Sequence, residues 1–194
     1  MNRVCVLAGS KFGTRPEYRT AAEQLGRVLV HRGIELVYGG ARVGLMGVVA
    51  DAVLAGGGRV TGVLPEALVA REIAHTGLDD LRIVDTMHER KATMADLSDG
   101  FVALPGGWGT FDELFEVLTW AQLGLHGKPI GVLNVEGYFD PLLSLVTHSI
   151  NEGFVARASG AMISVAAEPE SLVTLMASQS SRVAASAPAD GATS

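Results

Sequence analysis

"RVCVLAGSKFGTRPEYRTAAEQLGRVLVHRGIELVYGG", residues 3–40, decides the fold, because two short apolar runs flank one segment of helical period. In "PEYRTAAEQLGRVLVHRG" the residues Ala21, Ala22, Leu25, Val28 and Leu29 share one stripe, as the 3.6-residue period of a helix resting on a core requires. Pro16 opens this segment and Gly33 closes it, the usual places of these residues at helix ends. The flanking runs "RVCVLAG" (3–9) and "IELVYGG" (34–40) are short and rich in branched residues, so each reads as a strand. Strand, crossover helix and strand make one βαβ unit.

The same alternation continues along the chain. Further strands are expected in "RVTGVLP" (59–65), "LRIVDT" (81–86), "GFVALPGG" (100–107), "PIGVLNV" (129–135) and "MISVAA" (162–167), with helices over 43–56, 87–99, 110–126, 137–152 and 168–178. These strands are near-continuous Val, Ile and Leu rather than alternating, which is the mark of a sheet covered on both faces. The expectation is an α/β fold with a doubly wound, mostly parallel, Rossmann-like sheet in one domain over residues 1–179. "SSRVAASAPADGATS" (180–194) has no large apolar residue after Val183 and is expected to be a disordered tail.

Composition narrows the function. With 194 residues, 48% of them hydrophobic, the chain can fill a sizeable core. A formal net charge of -6 argues against nucleic acid or a membrane surface as partner, since either normally calls for a basic face. The expected partner is a small molecule. The lone Cys5 excludes an internal disulfide and suits the cytoplasm, and no stretch reads as a signal peptide or a membrane span. The five histidines never take a ligand spacing, so no metal is expected.

Three Gly-rich segments, "AGSKFG" (8–13), "YGGARVGLMG" (38–47) and "LPGGWGT" (104–110), fall at the carboxyl ends of strands, where ligands of such sheets bind. Bare backbone lets amides approach an anion, and a following helix adds unpaired N–H groups, so a phosphate is the natural guest. None of the three has the dinucleotide or P-loop spacing, which disfavours NAD and ATP and leaves a nucleoside monophosphate or a phosphosugar. Trp108 reads equally as a wall for a purine and as a packing residue.

Arg90 and Lys91 sit in the first turns of the helix expected from residue 87, where they oppose the helix dipole unless an anion lies close. An anionic substrate would remove that oddity. Thr86 and Glu89 have the Thr-x-x-Glu spacing of a capping box, and Thr110 and Glu113 repeat it. Glu113 therefore has two readings of equal weight. It caps its own helix, or it serves a sugar attached to the phosphate and stabilises positive charge at the anomeric carbon. Glu72, between Ala70 and Ile73, reads from position alone as surface.

Taken together, "YGGARVGLMG", "EIAHTGL", "MHERKATMADLSD", "LPGGWGTFDELFEVLTWAQLGLHGKP" and "NVEGYFDPLL" closely resemble the Lonely Guy (LOG) family of cytokinin riboside 5'-monophosphate phosphoribohydrolases, once widely labelled possible lysine decarboxylases. The resemblance runs from about residue 3 to 175 and rests on Pro-Gly-Gly-x-Gly-Thr-x-x-Glu together with His-Glu-Arg-Lys. It implies hydrolysis of the N-glycosidic bond of an adenosine 5'-monophosphate, typically N6-substituted, to free base and ribose 5-phosphate, without a cofactor. Carried over by position, Arg90 and Glu113 look like the catalytic pair. Glu72, Arg90, Lys91, Gly107, Trp108, Gly109, Thr110, Phe111, Asp112, Glu113 and Thr119 look like substrate contacts. The resemblance also implies a homodimer, and "LFEVLTWAQLGL" (114–125) is too apolar around its circumference for a helix with one wet face. Three positions depart from the family pattern: Ala41 for a third glycine, Asp112 for Glu and Trp108 for Tyr. Two rival classes remain. A lysine decarboxylase would need pyridoxal phosphate on a lysine, and of Lys11, Lys91 and Lys128 the anion argument already claims Lys91. A non-catalytic nucleotide-binding protein resembling the molybdenum-cofactor carriers would keep the glycine cradle and have no use for Arg90 with Glu113.

Overall fold

The structure is a computed structural model that describes residues 1–69, 74, 75 and 77–186. Seven strands form one sheet: β1 (Arg3–Leu7), β2 (Glu35–Tyr38), β3 (Val60–Pro65), β4 (Asp80–Val84), β5 (Gly100–Ala103), β6 (Ile130–Leu133) and β7 (Ile163–Ala166). Their order is β4-β3-β2-β1-β5-β6-β7, and every strand pair is parallel. This is the doubly wound α/β arrangement that the sequence predicts.

The crossovers carry α1 (Pro16–His31), α2 (Gly44–Ala55), the single turn α3 (Glu66–Val69), α4 (Met87–Asp96), α5 (Trp108–Gln122), α6 (Asp140–Asn151) and the single turn α7 (Arg157–Gly160), and α8 (Pro169–Ser186) follows the last strand. Neither short turn carries a periodic apolar stripe, so neither was legible in the sequence. Helix α8 continues to Ser186, past the boundary at residue 179 set by composition. Residues 187–194 of the expected tail lie outside the described residues.

Successive residues of β1 point to opposite faces, as the period of a strand requires. Val4 and Val6 join the core under α1, α2 and α8, with Leu25, Leu29, Val49 and Leu172. Cys5 and Leu7 join the second core, under α4 and α5, with Met94, Leu114 and Val117. Cys5 is buried and free, and burial pushes its thiol up. Helix α1 leaves β1 for one face and α5 leaves β5 for the other, so a crevice opens between these two central strands at their carboxyl ends. No helix among the described residues is long and apolar enough to cross a membrane.

Candidate active site

The three Gly-rich segments meet in that crevice, and their glycines divide into two kinds. Gly9 N–H donates to the Pro105 carbonyl at 3.1 Å, and Leu45 N–H donates to the Gly9 carbonyl at 2.9 Å. A side chain on Gly9 would press on Gly106 Cα at 3.0 Å, and one on Gly106 would fall on the Thr110 hydroxyl. Gly44, at φ +57°, leaves no room for a Cβ against Ser10 and Lys11. These glycines let three loops touch. Gly107 and Gly109 are different, since nothing lies within 4 Å of where their Cβ atoms would be. Gly107 lines a cavity of about 320 Å³ whose walls include Phe12, Tyr18, Leu45, Trp108 and Tyr138.

Helix α5 starts earlier than its capping box implies. Its N-cap is Gly107, whose carbonyl accepts from Phe111 N–H at 3.1 Å, and no side chain caps it. Thr110 is therefore inside the first turn and buried, and Glu113 lies in the second turn. The capping reading of Glu113 falls. The amides of Trp108, Gly109 and Thr110 open the helix without intrahelical acceptors, and the positive end of the dipole adds to their pull on an anion. At α4 the threonine does cap: Thr86 Oγ1 accepts from Glu89 N–H at 3.1 Å, while Glu89 Oε2 reaches one residue beyond the N-cap and accepts from Asp85 N–H at 3.0 Å.

Freed from capping, Glu113 turns its carboxylate to Arg90, with Nη1 3.0 Å from Oε1. Both side chains are nearly enclosed, at 8% and 12% exposure. Arg90 Nε also donates to the Val63 carbonyl at 3.1 Å, and the guanidinium lies against Gly39, where a side chain could not fit. Burial pushes the Glu113 carboxyl above its ordinary range, and the charge of Arg90 works against that rise. Lys91 reaches Asp112 at 3.1 Å and Glu116 at 3.0 Å. Partial burial acts to lower its pKa, but the bonds to Glu116 and Asp112 prevail and hold the ammonium above its usual value. The cations that oppose the α4 dipole thus find their anions on α5. Glu116 was not singled out in the sequence. The available signal was its spacing of four from Asp112, which puts both acids on one helix face.

The remaining residues scatter. Trp108 is 90% exposed at the cavity mouth, and Phe111 packs against the α4–α5 core. Thr119 is exposed, with its hydroxyl turned back to the Phe115 carbonyl at 2.7 Å, and it stands about 9 Å further along the helix than Glu113 at 1.5 Å per residue. Glu72 lies outside the described residues. Sequence reasoning assigned no role to Tyr138, which lines the cavity and donates its hydroxyl proton to the Gly106 carbonyl.

Three comparisons bear on this site. The family described as "Possible lysine decarboxylase" matches residues 46–176. The cytokinin riboside 5'-monophosphate phosphoribohydrolase LOG of Oryza sativa subsp. japonica is 50% identical over 171 residues, 88% of this chain and 71% of the rice protein. An Arabidopsis thaliana protein of the same description is 50% identical over 171 residues, 88% of this chain and 79% of its own length. Among solved structures, the molybdenum cofactor binding protein from the phototrophic bacterium Rippkaea orientalis matches with a TM-score of 0.69 at 23% identity, covering 92% of this chain and 97% of that one. The molybdenum cofactor carrier protein of Chlamydomonas reinhardtii matches with a TM-score of 0.69 at 22% identity, covering 92% and 97%. At such identities the likeness to these two speaks for the fold alone.

Proposed function

We propose that this chain, which belongs to the Lonely Guy family of cytokinin riboside 5'-monophosphate phosphoribohydrolases, hydrolyses the N-glycosidic bond of adenosine 5'-monophosphates to free adenine-type base and ribose 5-phosphate. The observation that carries this reading is the enclosed pair of Arg90 on α4 with Glu113, which sits in the second turn of α5, the helix whose open first-turn amides can attract an anion. In our reading the 5'-phosphate rests on the amides from Gly107 to Thr110, with Lys91 adding positive charge nearby. Glu113 then faces the ribose. As the bond from the anomeric carbon to the base nitrogen breaks, positive charge grows on the ring, and the carboxylate stabilises that state more than the ground state. Water adds its oxygen to the anomeric carbon, and the departing base gains a proton. Arg90 opposes the rise in the Glu113 pKa and keeps the carboxylate aimed. Trp108, Phe111, Asp112, Thr119 and Glu72 complete the proposed substrate contacts by family position.

A pyridoxal-dependent lysine decarboxylase, which the family description suggests, fits two of the three lysines, Lys91 and Lys128, poorly, and the third, Lys11, is exposed to solvent at the cavity wall. A Schiff-base lysine must shed its proton, yet Lys91 is held charged between two carboxylates. Lys128 Nζ is committed to the Ala95 carbonyl at 2.8 Å. Incubation with AMP and with N6-isopentenyl-AMP tests the proposal: base and ribose 5-phosphate must appear together. Tight binding without either product would leave a carrier.

We further assign a homodimer, because Phe115, Leu123 and Leu125 on and just beyond α5 are exposed by 41%, 66% and 70% in the single chain. A monomeric mass in solution at micromolar concentration would refute it. The proposed setting is the cytoplasm, so cell fractionation should find the protein in the soluble pool.

A further inference from the structure

We infer that Tyr138 is a positioning residue for the anion cradle, fixing the peptide plane between Gly106 and Gly107 and with it the amide at the start of α5. This rests on the nucleotide reading above. The Tyr138 hydroxyl donates to the Gly106 carbonyl. That carbonyl and the Gly107 N–H belong to one planar trans peptide and point in opposite directions. Holding the oxygen on the Tyr138 side therefore turns the Gly107 N–H the other way. A peptide between two glycines is the one most free to rotate, because neither flanking residue has a Cβ to limit its dihedrals. Beyond it the helix is secured, since the Gly107 carbonyl accepts from Phe111 N–H at 3.1 Å. Nothing lies within 4 Å of the Cβ position of Gly107, so no side-chain packing replaces that hydrogen bond.

The placement of Tyr138 is itself over-determined. Its ring meets Tyr18 edge-on at 5.6 Å and Phe139 at 5.0 Å. The turn that delivers it contains Glu136 at φ 51°, the one non-glycine residue with positive φ among the described residues, followed by Gly137 at φ 68°. Such a conformation persists where the surroundings impose it, and it concentrates at ligand sites. Here Asn134 imposes it: Oδ1 accepts from Phe139 N–H at 2.8 Å, and Nδ2 donates to Asp140 Oδ1 at 2.7 Å. "NVEGYFDPLL" (134–143) thereby acts on "LPGGWGT" through one phenolic proton.

Tyr138→Phe removes that proton and keeps the ring. Expected are a rise of about three- to tenfold in KM for AMP and in the inhibition constant of ribose 5-phosphate, the worth of one neutral hydrogen bond. The inhibition constant of adenosine, which lacks the phosphate, should stay unchanged. Equal weakening of AMP and adenosine, or no change in either, would overturn the role of Tyr138. A wild-type protein that takes AMP no better than adenosine would instead overturn the nucleotide reading.

Discussion

Replacing Glu113 by glutamine separates chemistry from scaffolding. The amide keeps the shape of the side chain and one oxygen for Arg90 Nη1, now 3.0 Å from Oε1, while Arg90 Nε keeps its bond to Val63. What disappears is a negative charge that is costly to bury. Because burial raises the Glu113 pKa, the neutral form is the one the fold favours. The stability linked to that preference is fully present below the ordinary value of 4.5 and is lost as pH rises through the raised one. Wherever the carboxylate is ionised the wild type therefore bears the cost of burying that charge, and glutamine does not. The amide still accepts from Arg90 but no longer balances its buried charge, so the expected loss of stability is about 1–2 kcal/mol, below the cost of removing the partner outright. For a domain of this size that lowers Tm by roughly 2–8 °C. Turnover should fall about a hundredfold or more, the usual result of deleting one preorganised electrostatic group. Glu113→Ala should differ sharply, costing about 3–5 kcal/mol because Arg90 is left buried without a partner. Glu89→Gln, at the capped start of α4, should leave turnover intact. Release of adenine from AMP, followed by chromatography beside circular-dichroism melts, reads all three. Turnover of Glu113→Gln within threefold of wild type, or a loss equally large in Glu89→Gln, would refute the reasoning.

Gly107→Ala puts a methyl group into open space, so its Tm should hold while KM for AMP rises; Gly106→Ala meets Thr110 and should lower the Tm. A raised Glu113 pKa combined with a need for its ionised form places the acid limb of kcat/KM above the ordinary 4.5, and a limb at or below that value would count against Glu113. His126 Nδ1 accepts from Lys128 N–H at 3.2 Å, so Nε2 carries the proton given to Val117 at 3.0 Å. Burial lowers the pKa of this ring, against the pull of its bond to Val117; stability present above the ordinary 6.5 should decline as pH falls through the depressed value, and His126→Gln should flatten that slope in pH-dependent melts.

The sheet was legible because burial on both faces leaves its mark residue by residue, and the glycine segments were legible because topology sends every such loop to one edge. The start of α5 was not. "GGWGT" offers two overlapping signals, and local spacing cannot tell whether Gly107 or Thr110 takes the N-cap; the backbone bond from Phe111 to Gly107 decides it. Thr-x-x-Glu consequently means a cap at Thr86 and something else at Thr110. The partners of Arg90 and Lys91 were hidden for a related reason. Asp112, Glu113 and Glu116 meet them only after β5 inserts between α4 and α5, a non-local event that leaves no periodic trace. Tyr138 and Gly106 are likewise 32 residues apart.

The proposed N-glycosidic hydrolysis rests on an enclosed Arg–Glu pair beside a glycine-bared helix start. Its most direct test is a mass balance on AMP and N6-isopentenyl-AMP with purified protein, measuring base and ribose 5-phosphate in the same samples. The account predicts the two products in equal amounts, and both nearly abolished in Glu113→Gln. Nucleotide recovered intact from a tight complex, or phosphate released in place of base, would contradict it.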